Sequence, residues 1–177
     1  HRLNLAVVFH DAIAVTHPEL VGAELRRDYA AYIKYLCRGD LVIAVSQQSA
    51  DELKRYAAKE EIDLPKVIVC PNGASFQGER PAGSEPEDPP PIRAICVGTI
   101  DPRKNHTTLI EALDLIRRSH PSIDLQVTLF GNAYPGSENL ARQVADACRN
   151  NPKLTWSQGV SDEELIKAYQ GSHFSIF

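Results

Sequence analysis

Residues 92–118 constrain the fold more than any other part of this chain. Ile92 to Val97 is a short apolar run that reads as a buried strand. Gly98-Thr99-Ile100-Asp101-Pro102-Arg103-Lys104-Asn105-His106 follows it. Leu109, Ile110, Leu113 and Ile116 then recur at helical spacing over Thr107 to Arg118. The Arg-Lys pair therefore belongs to a strand-to-helix loop, at the mouth of a helix N-terminus. Free backbone N–H groups and the positive end of the helix dipole gather there. Two added cations make a place for a diphosphate, and Gly98 lets the backbone turn and a ligand approach closely. Spacing alone fits solvated loop charges equally well. The loop is not a G-x-x-x-x-G-K-[ST] phosphate loop, and no G-x-G-x-x-G occurs in the chain.

The same alternation runs along the whole sequence. Leu3 to Phe9, Leu41 to Val45 and Lys66 to Cys70 are apolar runs of strand length, the last closed by the turn signal Pro71-Asn72-Gly73. Helices are expected from about Asp28 to Cys37 and from Ser49 to about Ala58. Ser49-Ala50-Asp51-Glu52 fits a capping box or an early first turn. Ala74 to Pro91 is rich in Pro, Gly, Glu and Asp, lacks periodicity and reads as a linker. A second series follows: strand Arg93 to Val97, helix Thr107 to Ser119, strand Leu125 to Phe130, helix Glu138 to Asn150, strand Leu154 to Trp156, helix Asp162 to Gln170 and strand His173 to Phe177. Ser161 to Glu164 is a capping box. Strand alternating with helix implies two parallel sheets, each covered on both faces. Ligands of such sheets bind beyond the carboxyl ends of the strands. The loops that matter are thus His10-Asp11, Pro71 to Gly73, Gly98 to His106, Gly131-Asn132 and Gly159-Val160.

Bulk properties narrow the function classes. The chain has 177 residues, 43 % of them hydrophobic, enough for a core. A net charge of −4 argues against broad nucleic-acid binding. No apolar stretch approaches the ~20 residues that span a bilayer, and no secretory segment opens the sequence. The four cysteines form no C-x-x-C pair. Cys70 and Cys96, inside apolar runs, are expected to be buried free thiols, which fits a cytoplasmic setting. No His, Asp or Glu cluster has metal-ligand spacing; His10 and His17 read as a chance pair. Methionine is absent, and Ser175-Ile176-Phe177 reads as a strand just entered, so the expectation is a piece of a longer chain.

Four segments together resemble the retaining glycosyltransferases of family 4, whose GT-B architecture has two Rossmann-like domains. They are Phe9-His10-Asp11-Ala12-Ile13 with Thr16-His17-Pro18-Glu19, Val45-Ser46 before Asp51-Glu52-Leu53, Val67 to Gly73, and Val97 to His106. The form is most similar to bacterial mannosyltransferases of lipopolysaccharide or exopolysaccharide assembly. The resemblance implies an α/β chain carrying two incomplete domains: residues 1–74 as the end of the acceptor-side domain, 75–91 as a linker, and 92–177 as the first half of the donor-side domain. The family's glycine-rich acceptor loop would precede His1, and its E-x7-E segment would follow Phe177.

Residue by residue, the resemblance implies the following. Arg103 and Lys104, with Gly98, hold the donor diphosphate and stabilise the departing nucleotide. His10 faces the transferring sugar. Gly159 and Val160 cradle the base, and Gly131 and Asn132 line the cleft near ribose or sugar, although Ala133 replaces the second glycine of the usual G-x-G. No cofactor is expected, since the nucleotide sugar is a substrate and fixed cations stabilise the leaving charge without a metal. The partners implied are a nucleoside-diphosphate sugar, a saccharide or lipid-linked acceptor and peripheral contact with the inner membrane, with no nucleic acid. Without the resemblance, His10 reads as a strand-end residue bonded to nearby backbone. His17 reads as structural, His106 as a first-turn residue without a catalytic role, and Phe130 and Trp156 as core. Asp11 is a weak candidate for orienting His10, because adjacent strand residues point to opposite faces. The leading function is transfer of a hexose, mannose or glucose first, with retention. The alternative is a non-catalytic sugar-nucleotide or anion-binding module on the same fold. An oxidoreductase ranks last for want of a glycine fingerprint.

Overall fold

The computed structural model describes residues 4–73 and 91–177. The chain divides into two units, His1–Ser75 and Phe76–Phe177. Of the expected linker over 75–91, all but Pro91 lies outside the described residues.

The first unit is a parallel sheet ordered β1-β2-β3, built from β1 (Ala6–Phe9), β2 (Leu41–Ala44) and β3 (Lys66–Val69). Helix α1 (Ile13–Thr16), a 3-10 turn at Pro18–Leu20 and α2 (Ala23–Leu36) join β1 to β2, and α3 (Gln47–Lys59) joins β2 to β3. Phe9, Val42, Ala44, Ile33, Ala50 and Leu53 form its core. Each large apolar side chain buried there is worth about 1.5–3 kcal/mol. The strand starts later than Leu3 because Leu5 is tied elsewhere: its N–H donates to the Asp40 carboxylate at 2.9 Å and its carbonyl accepts from Asp40 and Leu41. Helix α2 starts five residues before the expected Asp28, since its polar first turns carry no apolar stripe. Helix α3 is capped by Ser46, whose Oγ accepts from the Ser49 N–H at 3.0 Å, so the helix opens two residues before the expected Ser49, and Ser49 to Glu52 lies within it rather than at its cap. Cys70 is exposed, not buried: β3 is the last strand of this sheet and most of it is exposed.

The second unit is a parallel sheet ordered β6-β5-β4-β7. Its strands are β4 (Ile92–Val97), β5 (Leu125–Phe130), β6 (Leu154–Ser157) and β7 (Phe174–Ile176), joined by α4 (His106–Ser119), α5 (Glu138–Asn150) and α6 (Asp162–Gln170). Val127, Leu129, Ala94, Leu113, Val144 and Leu154 pack as its core. Both halves of the Ser161–Glu164 capping box form. The chain enters at β4, winds outward through β5 and β6, and returns to the other side of β4 at β7. The strand order therefore reverses between β4 and β7. Such a switch point opens a crevice beyond the carboxyl ends of the strands.

Candidate functional site

The loop after β4 lies at that switch point, and pairing between β4 and β5 continues past their ends to hold it. Gly98 N–H donates to the Phe130 carbonyl at 2.9 Å, Ile100 N–H to Asn132 at 2.9 Å, and Tyr134 N–H to Ile100 at 3.0 Å. Ile100 and Ala133 form a further parallel bridge, with Ile100 fully buried. This closeness requires glycine, but at Gly131 rather than at Gly98. Gly131 has φ +147°, and a Cβ there would stand 2.1 Å from the Gly98 carbonyl oxygen. A Cβ on Gly98 would meet only the Lys104 side chain, 3.7 Å away. The expectation that Gly98 supplies the turn is corrected: its backbone lies outside the left-handed region.

A 3-10 turn, Pro102–Lys104, carries the cations. Asp101 builds it. The Asp101 carboxylate is almost fully buried and accepts from the Arg103 N–H at 2.9 Å, capping the turn. It also takes the guanidinium in a fork, Nε at 3.0 Å to Oδ1 and Nη2 at 2.6 Å to Oδ2. Arg103 holds that carboxyl below the usual carboxylate range, outweighing the burial that would raise it. The guanidinium also lies 5.3 Å from the centroid of the Tyr134 ring. Arg103 is thus fixed from three sides. Lys104 differs: its stem crosses Gly98, and among the described residues it has no ion-pair partner. Asn105 then adopts a left-handed conformation at the start of α4, and its side chain does not cap the helix.

The loops after β5 and β6 join the same end. Asn132 Oδ1 accepts from the Gly159 N–H at 3.1 Å. Trp156 Nε1 donates to the Gly131 carbonyl at 2.8 Å, and Gly131 N–H donates to Ser157 at 3.0 Å. Gly98, Arg103, Lys104, Gly131, Asn132 and Gly159 are therefore gathered at the carboxyl ends of three adjacent strands. Val160 follows Gly159, half-buried, before the capping box of α6. Sequence reasoning missed Asp101 and Tyr134. The signal for Asp101 was its spacing: a carboxylate two residues before an arginine across a proline can cap the turn it starts.

His10 stands in the first unit, at the carboxyl end of β1, and is exposed. Its carbonyl accepts from Ser49 Oγ at 2.6 Å, which pins the strand end to α3. Among the described residues the imidazole itself makes no hydrogen bond. Asp11 does not orient it: Asp11 Oδ1 accepts instead from the Ile13 N–H at 3.0 Å, opening α1. The Tyr29 hydroxyl donates to the Asp11 carbonyl, and burial pushes that phenol's pKa up. Among the described residues no group of three His, Cys, Asp or Glu side chains gathers as a metal site would, and no helix is long and apolar enough to cross a membrane.

Comparison with known proteins places this geometry. The family model described as glycosyl transferases group 1 matches residues 79–177. The serotype-specific mannosyltransferase WbdA of Escherichia coli is 26 % identical over 184 residues, covering 96 % of this chain and 22 % of WbdA. A D-inositol 3-phosphate glycosyltransferase of Pseudarthrobacter chlorophenolicus is 28 % identical over 114 residues, covering 60 % of this chain and 26 % of that protein. The chain thus spans about a fifth of the length of WbdA. Among solved structures, Anabaena HepE in complex with UDP-glucose superposes with a TM-score of 0.68 at 16 % identity, over 97 % of this chain and 46 % of HepE. The pneumococcal O-GlcNAc transferase GtfA, solved with UDP and GlcNAc, gives 0.66 at 16 % identity, over 97 % and 32 %. At that identity the likeness shows the fold, a Rossmann-like α/β arrangement of the GT-B class. The family match takes in all four strands of the second sheet and every loop that builds the site, and on it the chain belongs to the group 1 glycosyl transferases.

Proposed function

We propose that the chain forms the switch-point half of a donor site in a retaining hexosyltransferase. The enzyme moves mannose or glucose from a nucleoside-diphosphate sugar to a saccharide or lipid-linked acceptor. The observation that carries this reading is the rigid Asp101–Arg103 turn, which sets Arg103 and Lys104 at the head of α4, beside the crevice where such sheets bind ligands. WbdA is named a mannosyltransferase and the D-inositol 3-phosphate enzyme a glycosyltransferase, and HepE was solved with UDP-glucose and GtfA with UDP and GlcNAc, which supports a nucleotide-sugar donor.

The chemistry follows from charge. Breaking the bond between the anomeric carbon and the diphosphate leaves negative charge on the departing phosphate and positive charge on the sugar. Fixed cations and uncapped helix N–H groups stabilise the first without reorganising, so this site meets that charge without a metal ion. Lys104, with no described carboxylate against it, takes the larger share. Arg103 has its charge matched by Asp101 and gives shape as much as charge. Asn132, held by Gly159, and Val160 face the nucleoside in this reading. In this reading His10, carried by the first unit, acts on the transferring sugar in the transition state. A lipid-linked acceptor would bring the protein to a membrane surface.

The test is transfer by the intact protein from GDP-mannose, UDP-glucose and ADP-glucose to candidate acceptors, with the anomeric configuration of the product read by NMR. Product of retained configuration is expected. Nucleotide binding without transfer from any donor would favour the non-catalytic module, and an inverted product would overturn retention.

A further inference from the structure

Tyr134 puts an aromatic ring in the loop after β5, 44 % exposed, where burial repays only part of its apolar area. The backbone leaves the ring little choice of place. The Tyr134 N–H donates to the Ile100 carbonyl at 3.0 Å, and the Tyr134 carbonyl accepts from the Ser137 N–H at 3.0 Å, where α5 begins. The Ile100–Ala133 bridge stands immediately before it. With its backbone anchored on both sides, Tyr134 meets Arg103 across the two loops. The guanidinium carbon lies 5.3 Å from the ring centroid, inside the ~6 Å over which an aromatic face attracts a cation.

The two restraints on Arg103 differ in kind. Asp101 grips the guanidinium by Nε and Nη2 and sets a full negative charge against it. The ring attracts the same cation through its quadrupole and adds no formal charge. It therefore orders Arg103 without drawing further on the charge that an anion would meet. The Arg103 side chain keeps 31 % of its surface exposed, so it is ordered and still reachable. A loose arginine would lose its rotamer freedom at the moment of binding, and that loss would come out of the affinity. One ordered beforehand has less to lose. We infer that Tyr134 is a positioning residue of the diphosphate site: its ring orders the Arg103 guanidinium before the nucleotide arrives and thereby raises affinity for the diphosphate. The inference rests on the donor-site reading given above.

The experiment is titration of the intact protein with UDP and with GDP, alongside thermal melting and the heteronuclear 15N NOE of the Arg103 Nε–H. Four variants are compared: Tyr134→Leu, Tyr134→Phe, Arg103→Ala and Lys104→Ala. Leucine keeps apolar bulk and removes the aromatic face, while phenylalanine keeps the face and removes only the hydroxyl. Tyr134→Leu should weaken nucleotide binding roughly two- to tenfold, the effect of ordering one long side chain on binding. Its melting temperature should stay within a few degrees of wild type. In the free variant the Arg103 NOE should drop, and UDP or GDP should restore it. Tyr134→Phe should match wild type in NOE, and in affinity to within about twofold. Uridine and guanosine, which carry no phosphate, should bind Tyr134→Leu as they bind wild type in chemical-shift titrations. Wild-type nucleotide affinity in Tyr134→Leu, an Arg103 NOE that leucine leaves unchanged, an equal loss in Tyr134→Phe, or an equal loss toward the nucleosides would overturn the inference. If Arg103→Ala and Lys104→Ala also bind as wild type, the donor-site reading falls with it; if they weaken and Tyr134→Leu does not, only the inference falls. Should Tyr134→Leu fail to fold, the wild-type Nε–H decides: an NOE as high as that of the α4 amides before any nucleotide is added is expected. One that reaches that level only after UDP or GDP binds would refute it.

Discussion

Adding one methyl group at Gly131 tests whether the site is locked by backbone contact between two loops. In Gly131→Ala the Cβ would stand 2.1 Å from the Gly98 oxygen, 2.6 Å from the Gly98 carbonyl carbon and 3.1 Å from the Thr99 nitrogen. Relief to an ordinary contact needs a shift of about 1 Å. No side chain can swing away, because the obstructing atoms are backbone. Gly98 and Ile100 are also tied to the Gly131 loop by hydrogen bonds to Phe130 and Asn132. Overpacking of this kind costs about 1–3 kcal/mol, and a non-glycine residue in a sparsely populated backbone region costs about 1–3 kcal/mol more. The expected loss is about 2–6 kcal/mol, against a total near 5–15 kcal/mol for an ordinary domain. Two controls separate the causes. Gly136→Ala, at φ +84° with nothing within 4 Å, should cost only the backbone part. Gly98→Ala, 3.7 Å from a flexible Lys104, should cost less than about 1 kcal/mol. Urea unfolding of the three variants supplies the numbers. A Gly131→Ala midpoint equal to that of Gly98→Ala would refute the locking argument.

Two further outcomes are expected. Both His106 and Asp101 bind their proton less readily in the folded chain than in the unfolded one. Their stabilisation is therefore complete above the unfolded values. It falls first as pH drops below the ordinary histidine value of 6.5, and again below the ordinary aspartate value of 3.8. Unfolding midpoints measured down the pH scale should show the first loss in wild type and not in His106→Leu; a wild-type midpoint that rises on acidification would contradict this. His10→Ala should lower kcat by roughly tenfold or more, with nucleotide affinity and melting temperature kept, the behaviour of a group acting in the transition state. A lower melting temperature with unchanged turnover of the folded protein would assign His10 a structural role.

The sequence was most legible where its signals are local. Helices α5 and α6 fall at their expected residues, α6 because the Ser161–Glu164 capping box marks its start, and β5 because Leu125, Val127 and Leu129 alternate with Gln126 and Thr128 as a strand requires. Ends set by distant partners were not legible. Leu5 leaves β1 for Asp40, 35 residues away, and exposed Cys70 depends on which strand lies last in its sheet. In the site, the Arg-Lys pair and the glycines stand out as residue types, whereas their division of labour does not. Glycine at 131 rather than 98 is forced by a chain crossing over 30 residues away. Asp101 and Tyr134, which fix Arg103, act through burial and stacking that only the folded β4 and β5 loops create. His106 reads as an ordinary first-turn residue, and its burial, 1 % exposed, has no signal in the sequence.

The central claim is that Arg103 and Lys104 hold a diphosphate, and calorimetric titration of wild type, Arg103→Ala and Lys104→Ala with UDP and GDP tests it most directly. A charge-assisted contact of this kind contributes about 1.5–3 kcal/mol, or roughly ten- to a hundredfold in affinity. Lys104→Ala should lose that much with its melting temperature unchanged. Arg103→Ala should lose affinity and stability together, because it strands the buried Asp101 carboxylate. Superimposable titration curves for wild type and both variants would contradict the account.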